Sequence, residues 1–442
     1  MLSMIALPFD RILSLRLLCL VVLVAILGGG RTAHGQEKSP PTPDETVERD
    51  TTASPQRSPY ATDRSIVYHV LAAPAYVLHG ATRPVGWAVT YIEDRYPALF
   101  EGRLPPRGGL PLVDIGGPVR VMVGGLLYDN ELFGSDHQLR IDGLYGSGNA
   151  FRFSGHYTWP RPWGRGTGLD LRANMFSNPR SKFYLGGNAS DRGPDRTVFL
   201  RRQVDISASI GVRPPGGRIG GQFEMSYQNV DVDKADQRLV DLQRSGLRPV
   251  TLVTSKISLG VGKTLGKRRT YFGTELLGQF SYSHEVGGDR FRYGRYVAEL
   301  RQYLPVGFFP KSRRFLLRAR VEQVDPLFGG ESVPFFQQPG LGGQTSLRGF
   351  PYNRFQDTGS FLLTAEYRYP IWSNLDGVLF VDAGQVMPEL EAVEIDRFHV
   401  SYGGGIHLLS SKGLSARLEI AGGPEGVFSI LTVEPNFRRL TR

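Results

Sequence analysis

The sequence predicts an all-β fold, a transmembrane antiparallel β-barrel of about 16 strands behind a short N-terminal helical segment. Three observations carry this prediction. The chain opens with an export signal, its apolar residues alternate with period two from Val119 to Phe437, and short and long connections recur along that stretch. Period-two alternation gives every strand one apolar and one polar face.

The leader comes first. Arg11 and Arg16 form a basic start, Leu17 to Leu27 is an unbroken apolar run, and a glycine cluster leads to Ala33-His34-Gly35. This is the pattern of a cleaved secretory signal peptide, read here as residues 1–35. The run is too short for a spanning helix, which needs about 20 residues. Cys19, the sole cysteine, lies inside it. The exported chain is therefore expected to have no disulfide, thiol nucleophile or cysteine metal site. Leu18 stands where a lipoprotein signal favours a small residue, so lipidation at Cys19 is not expected.

Residues 36–64 are rich in Pro, Ser, Thr and charge and almost devoid of apolar side chains. Such a segment cannot bury enough surface to offset its ordering entropy, and it reads as a disordered linker. Residues 65–110 differ. Val67, Val70 and Leu71, then Trp87, Val89, Tyr91 and Ile92, fall at roughly helical spacing, and Pro74 and Pro84 could each open a helix. Short periplasmic amphipathic helices are expected, lying on the membrane surface, filling the barrel mouth or packed as a pair.

The barrel, residues 119–437, rests on explicit alternation. Phe151, Phe153, Tyr157 and Trp159 alternate with Arg152, Ser154, His156 and Thr158. Leu169 to Met175, Val204 to Ile210, Val253 to Val261, Phe315 to Glu322 and Leu414 to Ile420 repeat the pattern. A soluble sandwich alternates too, over shorter strands. Three features favour a membrane barrel: segments of about 10 residues, charges in the middle of the polar face, and aromatics at segment ends such as Tyr157, Trp159, Phe280 and Tyr282. The 55 glycines suit this fold, and the formal charge of +10 suits a surface that meets phosphate-bearing lipids. An exported chain gives no reason to expect a nucleic-acid partner.

Short connections read at Gly146 to Asn149, Pro214 to Gly217, Leu265 to Arg269 and Ser410 to Gly413. Long ones read at Asp231 to Pro249, His284 to Asp289, Asp325 to Gly359 and Met387 to Arg397. Short turns on one side and long loops on the other are the outer-membrane pattern. Ten strands precede the longest loop and five follow it. Bacterial barrels are even-numbered, so one further strand is expected, near Phe183 to Asn188.

Catalytic and cofactor motifs find little support. Gly262-Lys263-Thr264 lacks the earlier glycine of a phosphate-binding loop, since position 257 is Ile257. The eight histidines show no metal-ligand spacing, and there is no Gly-x-Ser-x-Gly elbow. No cofactor, no metal and no enzymatic activity are expected. A hydrolytic site assembled from distant residues stays open as an alternative.

One constellation stands out. The longest loop carries Leu347-Arg348-Gly349-Phe350. The strand after it places Glu366 on the lumen face, and the next strand, Val378 to Val386, places Phe380 and Asp382 there. Two inward carboxylates on neighbouring strands repel unless a cation lies between them. Arg348 can bridge both, which draws the loop tip into the barrel.

The Leu347-Arg348-Gly349-Phe350 tetrad resembles the Val-Arg-Gly-Tyr/Phe signature on the sixth extracellular loop of the bacterial surface antigen superfamily, which contains the BamA-like and TamA-like assembly proteins and the two-partner-secretion transporters. Phe380-Val381-Asp382-Ala383-Gly384 is similar to its Phe-x-Asp-x-Gly strand motif. The resemblance implies a 16-stranded barrel with Arg348 on Asp382 and Glu366. The last strand, Val427 to Phe437, resembles the family's aromatic-terminated assembly signal, with Arg438 to Arg442 trailing. Family members usually carry periplasmic POTRA domains. Residues 36–118 show no βααββ pattern, so a member lacking POTRA domains is expected. The resemblance implies an outer-membrane protein that assists insertion or translocation of polypeptide or lipid, with outer-membrane lipids and unidentified client polypeptides as partners. Pro435 in the last strand and Gly124-Gly125 in the opening one suggest a weak seam. A passive plugged channel or porin-like structural barrel is the alternative.

Overall fold

A computed structural model describes residues 106–435, except 134–135, 191–194, 215–216, 238, 240–245, 266–271, 307–312, 372–374 and 410–413. Eleven barrel strands precede the longest loop: β1 (Arg107–Ile115), β2 (Val121–Leu132), β3 (His137–Gly146), β4 (Ala150–Trp159), β5 (Thr167–Tyr184), β6 (Arg196–Val212), β7 (Ile219–Asp233), β8 (Val250–Leu265), β9 (Phe272–Glu285), β10 (Arg292–Val306) and β11 (Arg313–Pro326). The loop contains a two-stranded ribbon, β12 (Gly340–Leu341) and β13 (Phe355–Gln356). Five barrel strands follow: β14 (Gly359–Pro370), β15 (Leu375–Met387), β16 (His399–Leu409), β17 (Leu414–Gly423) and β18 (Gly426–Pro435).

Sixteen antiparallel strands close into a barrel, each paired with its sequence neighbour and β1 meeting β18. The alternation in the sequence becomes the two faces of the wall. Val123, Ile141, Phe153, Ile206, Ile257 and Ile420 stand exposed outward, while Glu299, Asp382 and Glu419 are buried inside. Closure lets every strand find partners on both sides, which a bilayer demands of any spanning sheet.

The wall is uneven in height. β1 to β4 and β14 to β18 run 9 to 13 residues, close to a tilted membrane crossing, whereas β5 to β11 run 14 to 18. The extra length lies at the long-loop end. There the inner face turns apolar: Phe183, Phe199, Val230, Leu252, Phe291 and Val324 form a buried core with Phe335 and Phe336 of the long loop.

Several boundaries differ from expectation. The barrel begins at Arg107, not Val119, so residues 107–110 are strand and not helix. Gly108, Gly109 and Pro111 conceal the alternation there. Gly124 and Gly125 therefore sit on β2, opposite Leu112 and Pro111. The uncounted strand is β1. The stretch near 183–188 ends β5 at Tyr184 and then turns through the short helix Gly187–Ala189. The Gly146–Asn149 turn lies on the long-loop side, because the three strands β4, β5 and β6 separate it from the Pro214 turn. The leader, the linker, the helical segment up to residue 105 and Phe437 lie outside the described residues.

The seam between first and last strands is short. β1 pairs with β2 from Arg107–Asp129 to Ile115–Val121, yet among the described residues it pairs with β18 only through Asp114–Thr432 and Ile115–Leu431, at the long-loop end. Continuing that register would set Pro111 opposite Pro435. Neither proline has an N–H to donate, so the ladder cannot be extended there as a normal pair.

Candidate functional site

Arg348 sits at the tip of the β11–β14 loop and is buried in the lumen at 4 % exposure. Its Nε and Nη2 donate to the two oxygens of Asp382, each at 2.8 Å, and its backbone N–H reaches the same carboxylate at 3.3 Å. Nη1 donates to Glu366 Oε1 at 2.9 Å and to Glu419 Oε1 at 3.3 Å. The guanidinium plane lies 3.4 Å from the centre of the Phe380 ring. A fork of fixed geometry thus satisfies three carboxylates on β14, β15 and β17 while its face rests on an aromatic.

The strands set these positions. β14 and β15 pair Thr364 with Asp382 and Glu366 with Phe380, so the two carboxylates lie diagonally, with the Ala365–Val381 pair between them. Further partners balance the charge. Arg368 donates through Nε to Glu366 Oε2 at 2.9 Å, His407 Nε2 lies 2.7 Å from Glu419 Oε1, and Ser401 Oγ donates to Asp382 at 3.4 Å. Removing the central cation would leave Asp382, at 0 % exposure, without its countercharge, and Glu419, also at 0 %, with Arg417 alone at 3.9 Å.

The neighbours of Arg348 serve its placement. Leu347 and Phe350 are buried with Leu341, Phe355, Leu362 and Val386 in an apolar layer above the ion cluster. Gly349 presses against the wall, where an added Cβ would stand 2.4 Å from the Gly422 carbonyl and 2.7 Å from Ser401 Cβ. Any side chain there would lift Arg348 from Asp382. Gly403 makes room in the same way for the Phe380 ring, 2.6 Å from where its Cβ would be. Gly384 lies under the Leu341 side chain of the loop ribbon.

The loop is also fixed along its length. Arg318 Nη1 donates to the Thr345 carbonyl at 2.8 Å, and Arg295 to that of Gln337. Both arginines belong to a lumen ladder on β10 and β11, in which Glu299 binds Arg301, Arg318 and Arg320, and Glu322 binds Arg295 and Arg320. Arg354, buried at 2 %, donates to the Ser190 carbonyl at 2.7 Å and to Glu425 at 2.6 Å, tying the loop to two other connections at the same end.

The structure therefore brings Arg348, Asp382, Glu366 and Phe380 together, with Leu347, Gly349, Phe350 and Gly384 packed around them. Sequence reasoning missed Glu419, Arg368, Ser401, His407 and Arg354. Glu419 and His407 were legible as lumen-facing, but their meeting with Arg348 depends on the register of β15 to β17. The Gly403-Gly404-Gly405 run was the available signal that something presses on that wall. Among the described residues, no group of three or more His, Cys, Asp or Glu side chains could hold a metal ion.

A family model described as the Omp85 superfamily domain matches residues 131–421. No curated protein matches the sequence. Among solved structures, the chain is similar to BamA from Haemophilus ducreyi lacking POTRA domains 1-3, at 14 % identity, covering 75 % of this chain and 70 % of that one with a TM-score of 0.54. It is also similar to CdiB from Escherichia coli (15 % identity, 74 % and 62 % covered, TM-score 0.51) and CdiB from Acinetobacter baumannii (12 %, 74 % and 59 %, TM-score 0.50). It spans less than two thirds of either CdiB chain. At these identities the likeness is one of fold.

Proposed function

This chain belongs to the Omp85 superfamily and is an outer-membrane β-barrel; on that premise we propose that it inserts or translocates another polypeptide or a lipid through the seam between its first and last strands. The seam is the observation that carries this reading. Among the described residues β1 and β18 pair at one end only, and Pro111 and Pro435, which the same register would set face to face, have no N–H to donate. Such an edge is a template for an incoming strand, whose backbone groups would pair with those left free.

The filled lumen supports the same reading over a steady channel. The loop occupies the interior from its phenylalanine core to the Arg348 cluster. In this reading the protein uses no cofactor and makes no covalent bond, and its partners are outer-membrane lipids and client polypeptides. Asp382, Glu366 and Arg348 hold the loop in place and do not react.

Depleting the protein should lower the level of at least one other outer-membrane component. Unchanged levels across the outer-membrane proteome and lipidome would overturn the proposal. Planar-bilayer recording separates the alternative: a large, steady, ohmic pore would favour a passive channel, and a mostly closed, flickering one the insertase. Crosslinking in cells from residues 65–110 would identify what enters the barrel.

A further inference from the structure

We infer that Gln344 is a latch that closes the β1–β18 seam from the lumen and makes seam opening depend on the position of the Arg348 loop. The inference rests on the proposed role of the seam and adds the element that controls it. Gln344 Nε2 donates to Asp114 Oδ1 and, at 3.1 Å, to the Ile115 carbonyl, both on β1. Thr432 Oγ1 on β18 donates to Gln344 Oε1 at 3.4 Å. One side-chain amide thus spans the strands at the residues that form their paired segment, Asp114, Ile115 and Thr432.

The amide is suited to this place. It offers donors to β1 and an acceptor to β18 at once, which neither a carboxylate nor an ammonium can do. Asp114 is further held by Arg152 of β4 at 3.5 Å. The pocket is tight, since Cβ atoms at Gly116 and Gly117 would meet Gln344 at 3.6 and 3.3 Å. Gln344 also stands four residues before Arg348 inside a turn that Ser346 closes, its Oγ accepting from the Gly342 N–H at 2.8 Å and donating to the Gly342 carbonyl at 3.1 Å, so that the segment moves as a unit. Displacing the tip from Asp382 pulls Gln344 off the seam. Among the described residues the seam then keeps only its two backbone pairs.

The test is a distance across the seam in the full-length barrel. Nitroxides are placed at Val113→Cys and Val433→Cys, in a Cys19→Ser background, and read by pulsed electron paramagnetic resonance. The parent should give one short distance. Gln344→Ala removes the bonds, and Gln344→Glu adds repulsion from Asp114. Each should raise the long-distance fraction about tenfold, the effect of losing one hydrogen bond to a charged partner. Asp114→Asn with Gln344→Glu restores a carboxylate–amide pair in the opposite sense and should return the short distance, which a merely space-filling residue would not do. Unchanged distances in both single variants, with parental heat-modifiable folding, would overturn the latch, as would widening that the exchange fails to reverse. Client insertion measured in parallel separates the two readings. A widened seam with unaltered insertion leaves the latch standing and removes the seam as the route.

Discussion

Two regions of the β11–β14 loop are held by opposite chemistry. Around Phe335 and Phe336 it is an apolar plug among residues of β5 to β11, with the Phe335 ring meeting Phe183 and Phe199 edge to face at 5.0 and 5.2 Å. Around Arg348 it is an ionic clamp on β14, β15 and β17. Apolar packing is non-directional and degrades by degrees as volume is lost. A buried fork among three carboxylates requires its partners in register, and it fails abruptly when one is removed. The plug packs the loop against the long-loop end of the wall, and the clamp holds the loop tip.

The largest effect expected from this difference is at the clamp. Arg348→Ala should cost about 3–5 kcal/mol, the range for breaking a buried ion pair by removing one partner. Urea titration of the heat-modifiable form measures it. Arg348→Lys should recover only part, because an ammonium is a point charge without the bidentate fork. Full recovery by lysine would mean that charge alone holds the tip.

Next is the plug. Phe335→Ala should cost about 3 kcal/mol, as for other buried aromatics cut to alanine. It should raise bilayer conductance while the Val113–Val433 distance stays parental. A change in that distance would show that plug and clamp act as one unit.

A smaller loss is expected from Glu419→Gln, about 1.5 kcal/mol, since the amide keeps the shape but not the charge that Arg348 Nη1 meets. A loss as large as that of Arg348→Ala would make Glu419 and not Asp382 the principal partner. The smallest effect belongs outside both regions. Ile395, 83 % exposed in the β15–β16 connection, should change to asparagine within about 0.5 kcal/mol of the parent, read on the same urea curve.

The same contrast explains what the sequence made legible. The clamp's core was readable because residue parity alone puts Glu366 and Asp382 inward and leaves two carboxylates in need of a cation. Strand number was recoverable from the even-number rule, but the strand itself was sought in the wrong place. Alternation needs side chains, and Gly108, Gly109 and Pro111 supply little of it. The contacts of Glu419 and Gln344 were invisible for another reason. They join positions 71 and 230 residues apart, fixed by barrel closure and not by local pattern. The apolar plug was missed because phenylalanines inside a glycine- and proline-rich loop have no period to betray which face they cover.

Insertion through the seam requires that β1 and β18 separate. Ile115 and Leu431 lie directly opposite across it, and facing Cα atoms about 4.5–5.5 Å apart accept a disulfide. The deciding measurement is client insertion by Ile115→Cys/Leu431→Cys, first oxidised and then reduced. If insertion runs through the seam, oxidation abolishes it and reduction restores it. Full insertion by the oxidised barrel would contradict that route.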